Sequence, residues 1–225
     1  MSLSRIGTSV VLIGCLIWPL ALLAGYDKRE RLTKDQELAR DLEKQNKRLQ
    51  AVREYTARSS GLSKEVEPLL ADAAKLQQQA RKTLASGQTY VAERLKSASR
   101  NLGEAVEHLA NARLNLKWDD DDGRSEPPDR EDDSEKDSAR ELERAYFRTA
   151  QLNFFARQKG AAGVSEWATL SRRLYQEGRA VFDRKEYFKA RQLAKASAEL
   201  SSAVEKYLQS QLPEELTPPP KVSRP

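Results

Sequence analysis

From Leu95 onward, leucine and alanine alternate at spacings of three and four: Leu95, Ala98, Leu102, Ala105, Leu109, Ala112 and Leu116. That rhythm lines one face of a helix and leaves the remainder of each turn to charged and polar side chains. Val66, Leu69, Ala73, Leu76, Ala80 and Leu84 keep the same rhythm until Ser86-Gly87 breaks it, so the two stretches predict an antiparallel helical hairpin. Val164, Trp167, Leu170, Leu174 and Val181 predict a second hairpin that turns at Arg184-Lys185. A further helical pattern precedes each one. Leu32, Leu38, Leu42, Leu49 and Val52 run up to Ser59-Ser60-Gly61, and Leu142, Ala145, Thr149, Leu152 and Phe155 run up to Lys159-Gly160.

The hairpins are related by an internal repeat. Without a gap, residues 76–109 match residues 174–207 at an offset of 98, with eleven identities in 34 positions. Leu95/Leu193, Ala98/Ala196, Ser99/Ser197, Leu102/Leu200, Ala105/Ala203, Val106/Val204 and Glu107/Glu205 are among them. The upstream helices echo one another as well, Asp41-Leu-Glu-Lys in the first and Glu141-Leu-Glu-Arg in the second. The sequence therefore predicts an all-α fold of two tandem three-helix units, residues 27–117 and 140–211. Between them, residues 118–139 (WDDDDGRSEPPDREDDSEKDSA) read as a solvated, disordered acidic linker, and residues 212–225 as a proline-rich disordered tail.

Residues 1–26 are of another kind. Ile6 to Tyr26, with Trp18 near its middle, is 21 residues without a charge, enough to cross a hydrocarbon core of about 30 Å. Three readings stay open: an uncleaved single-pass anchor, which requires no missing feature; a cleaved secretory signal; and a lipoprotein leader, because Leu12-Ile13-Gly14-Cys15 resembles a lipobox and would make Cys15 the acylated residue. The short basic head is typical of exported proteins and points to a bacterial inner membrane with a periplasmic body. Lys28, Arg29, Arg31 and Lys34 argue for a cytoplasmic body by the positive-inside rule.

Composition narrows the chemistry. All three isoleucines and the only cysteine lie within the first 17 of 225 residues, so the body is rich in strong helix formers and poor in β-branched residues. One cysteine and one histidine, His108, exclude a disulfide framework within the chain, multi-cysteine zinc sites and paired-histidine metal sites. The net charge of +5 conceals three blocks: +7 over residues 1–117, −8 over 118–139 and +6 over 140–211. Asp119 to Asp122 with Gly123 depart from a calcium loop, because Trp118 stands where the first acid belongs and Asp129 where the closing glutamate belongs. His108 reads as a surface or boundary residue, and Ser63-Lys64 as ordinary helix-cap sequence. No catalytic residue, cofactor or small-molecule substrate is nominated.

Two features suggest binding. Arg184, Lys185, Lys189, Arg191 and Lys195 cluster near one hairpin end and form a candidate face for anionic ligands. Aromatic residues crowd the second half, among them Tyr146, Phe147, Phe154, Phe155, Trp167, Tyr175 and Phe188. Most of these fit a core, and some fit anchors for a partner. They do not interleave with the basic residues as single-strand nucleic-acid binding would want, which argues against nucleic acid as the partner.

Gly178, Tyr187 and Ala190, with Gly87 and Ala92 in the first copy, stand at spacings that resemble the small and aromatic positions of tetratricopeptide units. Residues 174–200 (LYQEGRAVFDRKEYFKARQLAKASAEL) look like uncharacterised bacterial envelope proteins with an N-terminal anchor and an Ala-rich helical hairpin. Two three-helix units behind one apolar segment also resemble spectrin-like proteins of the bacterial division apparatus. The expectation is a membrane-anchored helical scaffold or adaptor, not an enzyme, that binds a protein partner or self-associates in the cell envelope. The alternative is a binder of anionic surfaces, lipid or nucleic acid, gated by the acidic linker.

Overall fold

Six amphipathic helices follow the apolar rhythm in the computed structural model, which describes residues 33–118, 125–129, 134–155 and 164–212. They are α1 (Lys34–Thr56), α2 (Ser60–Ala85), α3 (Thr89–Leu114), α4 (Glu135–Phe155), α5 (Ser165–Asp183) and α6 (Tyr187–Ser210). A two-stranded antiparallel ribbon, β1 (Lys117–Trp118) with β2 (Ser125–Glu126), follows α3. Among the described residues the fold is all-α apart from this ribbon. Among the described residues no helix is long and apolar enough to cross a membrane. The expected span Ile6 to Tyr26, with Trp18 and Cys15, lies outside the described residues, as do residues 213–225 and the acids Asp119 to Asp122.

Each expected helical triplet is present, and the duplication extends to individual hydrogen bonds. Ser99 Oγ donates to Ala73 O at 2.8 Å, and its counterpart Ser197 Oγ donates to Ser171 O at 2.8 Å. The turn between α2 and α3 closes with Gly87 N–H on Leu84 O and Gln88 N–H on Thr83 O; between α5 and α6, Lys185 N–H meets Phe182 O and Glu186 N–H meets Val181 O. All four pairs are 98 residues apart. The first helices correspond at an offset of 100: Arg48 pairs with Glu107 at 2.8 Å and Arg148 with Glu205 at 3.0 Å.

The two triplets share one hydrophobic core across α3 and α6, which form the largest interhelical interface, and do not stand apart as the tandem units the sequence suggested. The two helices run antiparallel, since His108 meets Gln192 while Glu104 faces Glu199. Ala98, Leu102, Ala105, Val106 and Leu109 on α3 are buried together with Ala196, Leu200, Ala203 and Val204 on α6. Alternating small residues let backbones approach closely, so a chain of modest apolar content still closes a continuous core. α1 rides on α3 at Gly103, where an added Cβ would lie 2.8 Å from Leu49 Cδ2. Arg113 fastens the halves further, because its guanidinium binds Glu65 of α2 at 2.9 Å and Glu177 of α5.

The region expected to be linker begins and ends differently from its composition. Trp118 is 6% exposed and stacks on Tyr55 with ring centroids 5.4 Å apart. The Asn111 side-chain oxygen accepts from both the Tyr55 hydroxyl and the Trp118 backbone N–H, each at 3.3 Å. Burial pushes the Tyr55 phenol up to about 12. At the other end α4 starts at Glu135, with Ser134 Oγ accepting from the Asp137 N–H. The charge run masked an aromatic that belongs to the core. Trp118→Ala is expected to cost about 3–5 kcal/mol in urea unfolding, whereas a solvated linker residue would cost almost nothing.

Candidate functional site

The five basic residues nominated from the sequence do not act as one face. Lys185 and Lys189 line a cavity of about 510 Å3 together with Arg113 of α3 and with Pro128 and Asp129 of the connecting segment. Arg184 turns to Glu186, Nε to Oε1 at 2.8 Å, and that hydrogen bond holds the Glu186 carboxyl below its usual range. Lys189 Nζ lies 3.7 Å from the same carboxylate. Lys195 sits further along α6, near His108, and the Arg191 side chain is half-buried on the same helix.

Backbone conformation marks the cavity. Lys185 has φ 63 and Asn115, also on its wall, has φ 52. Asparagine is a common left-handed helix terminator, but lysine pays a steric penalty of roughly 1–2 kcal/mol there. The equivalent position in the first copy is Gly87, with φ 76. The repeat therefore offered a strain-free residue that the second copy does not use. Non-glycine residues in this conformation concentrate at functional sites.

Arg113 escaped the sequence reading. It follows the apolar seam of α3 like any solvated residue, and only the approach of α2 and α5 reveals its two carboxylate partners. The Arg113 hydrogen bond keeps Glu177 well below the usual carboxylate range. Its guanidinium is thereby committed to structure and Lys189 is shared with Glu186, which leaves Lys185 as the cation on this wall that is least engaged among the described residues.

A second concavity, of about 350 Å3, lies between α2 and α5. Leu69 and Trp167, which are repeat equivalents, form its floor with Leu170, and Trp167 Nε1–H donates to Asp72 Oδ2 at 2.8 Å. The remaining feature is aromatic. Tyr146 on α4 is 53% exposed, the large hydrophobic most open to solvent among the described residues. Its ring lies 5.5 Å from Phe147 and 6.1 Å from Tyr175 of α5, both half-buried. Trp118, Trp167 and Phe188 are core, so among the described side chains, which do not include Phe154 and Phe155, Tyr146 is the aromatic that departs from the packing role.

His108 is half-buried between α3 and α6, and its Nδ1–H donates to Gln192 Oε1 at 2.9 Å. Desolvation, then the nearby Lys195 and the more distant Arg48 and Arg191, push the imidazole down to about 3. Among the described residues no cluster of three His, Cys, Asp or Glu could hold a metal ion. No family model matches the chain, and no curated protein and no solved structure matches it.

The imidazole makes acid sensitivity predictable. Below pH 6.5 the unfolded chain takes up a proton that the folded chain refuses until about pH 3, so stability falls as the pH drops through that window. Between pH 7 and 5 the protein is expected to lose roughly 1–2 kcal/mol more than His108→Gln, measured by urea unfolding at both pH values. Equal losses would mean that the imidazole already binds its proton in the folded state.

Proposed function

We propose that this chain is a helical scaffold or adaptor of the cell envelope, held by residues 6–26 as a single-pass anchor, whose bundle binds a protein partner. The observation that carries the reading is the aromatic face of Tyr146, Phe147 and Tyr175 on an otherwise charged exterior. Tyrosine gives a large contact area at low entropic cost, and exposed aromatic groups on rigid helices are frequent anchors of interfaces. The helix that presents them is tied to the centre of the bundle, because Arg148 of α4 binds Glu205 of α6 at 3.0 Å. A photo-crosslinking residue at position 146 of the full chain is expected to give a discrete protein adduct in cells. The same residue at exposed Ala74 on α2 is expected to give none. Equal labelling at both positions would sink the proposal.

A second reading, binding of anionic groups at the turn between α5 and α6, is favoured by the left-handed Lys185 on the wall of a cavity. Asp129 of the acidic segment lines the same cavity, which fits a segment that competes for the lysines. Deletion of residues 118–139 is unsuitable as a test, since it would take Trp118 out of the core. Replacing Asp119 to Asp122 by Asn is expected to raise retention on an anionic polymer at low ionic strength several-fold. Lys185→Gly is expected to lower that retention while stabilising the fold by about 1 kcal/mol. A Lys185→Gly chain that is stabilised but retained equally would leave the turn with no ligand role.

A further inference from the structure

The same chain holds a segment whose chemistry matches the face around Tyr146. The final residues, Leu216-Thr217-Pro218-Pro219-Pro220-Lys221-Val222-Ser223-Arg224-Pro225, combine a proline run with two basic residues on its C-terminal side. Proline-rich segments dock in aromatic-lined slots as preformed polyproline helices, and an acid beside the slot selects the basic residue. Tyr146 and Tyr175, from two helices, lie side by side with ring centroids 6.1 Å apart and planes tilted by 47°, and offer an aromatic platform for such a segment. Glu143 is exposed and stands one helical turn before Tyr146 and Phe147 on the same side of α4, with no ion pair to another of the described residues.

Reach and direction agree with this pairing. α4 runs parallel to α6, because Ser138 meets Tyr187 at one end and Arg148 meets Glu205 at the other. The offset is 49 at the first pair and 57 at the second, so Tyr146 is level with about residue 199 of α6, and Leu212 lies roughly thirteen residues, or about 20 Å, beyond it along the bundle. Adding one helix width of about 10 Å gives a separation near 22 Å. The eight residues from Leu212 to Pro220 span about 25 Å as a polyproline helix, which brings the proline run to the tyrosines. A chain that descends from the end of α6 meets the tyrosines first and Glu143 next, the order in which the tail presents its prolines and then Lys221 and Arg224. Three residues per polyproline turn also place Pro218, Lys221 and Arg224 on one side of that helix.

We propose that the tail folds back and seats its proline run, Pro218–Pro220, on the paired rings of Tyr146 and Tyr175, with Lys221 or Arg224 on Glu143, so that the face is covered by its own chain until a partner displaces the tail. This rests on the reading that the Tyr146 face is the partner-docking surface, and it gives that surface an intramolecular competitor. Attachment of the tail at Leu212 supplies an effective concentration in the millimolar range, which compensates for the weak affinity expected of a short proline motif.

The test is tyrosine nitration of the full chain, with Tyr146 followed by peptide mass spectrometry and buried Tyr55 as the internal reference. The triple variant P218S/P219S/P220S is expected to nitrate at Tyr146 at least threefold faster than the parent. Added synthetic peptide of residues 213–225 is expected to restore protection saturably, and Glu143→Lys to weaken it. Equal rates in parent and triple variant would overturn the proposal. Protection in the parent that disappears on dilution would overturn it too, by assigning the tail to a second copy. Persistence of a partner adduct at position 146 alongside equal nitration rates would reject the tail contact alone and leave the docking surface standing.

Discussion

Close approach of α3 and α6 is the constraint on which the rest of the molecule depends. Neither helix carries enough large apolar side chains to hold a hairpin by itself, and alanine contributes little area when packed against water. Placed against each other, Ala98, Ala105, Ala196 and Ala203 stop being weak hydrophobes and become clearance for leucine and valine on the opposite helix. The outer helices then need only one buried stripe each. α1 shows how far this goes, because Leu38, Leu42, Leu49 and Val52 are nearly its whole apolar content, and all are buried.

Hydroxyl groups refine the arrangement in the second half. Ser171, Ser197 and Ser201 are buried and bond one another and the backbone, with Ser171 Oγ 2.8 Å from Ser201 Oγ. In the first half the corresponding bond from Ser99 recurs, but Ala73 replaces Ser171 and the Gln45 amide of α1 supplies a donor to Ser99 at 2.8 Å. The two halves thus satisfy one buried hydroxyl with different partners. Buried polar groups that are fully bonded fix a register that interchangeable leucine and alanine contacts would leave ambiguous.

The helices and the repeat were legible because both are carried by periodic signals local to the chain. Leu42 and Leu142, matched from the short motifs Asp-Leu-Glu-Lys and Glu-Leu-Glu-Arg, are indeed buried at equivalent points. What periodicity leaves open is which seam meets which, and so the α3–α6 union and the single core could not be read from it. Trp118 was obscured by its neighbours, since four aspartates next to one indole look like linker until Tyr55 arrives from 63 residues upstream. Of the candidate site, Lys185 and Lys189 were legible from charge clustering, while Arg113 and the aromatic pair at Tyr146 depend on helices distant in sequence.

The antiparallel crossing of α3 and α6 also fixes where the chain enters and leaves the bundle. Thr89 Oγ1 donates to Asp35 at the start of α1, and the start of α3 lies beside the end of α6, so Lys34 and Leu212 belong to one end. The turn between α5 and α6 sits at the other end, about 36 Å away for a 24-residue helix. A pull between the two chain ends would therefore not shear the long interfaces all at once. It would peel helices open turn by turn from the end where they are held, so the bundle would yield at low force while its far end, with the left-handed lysine, stayed folded longest.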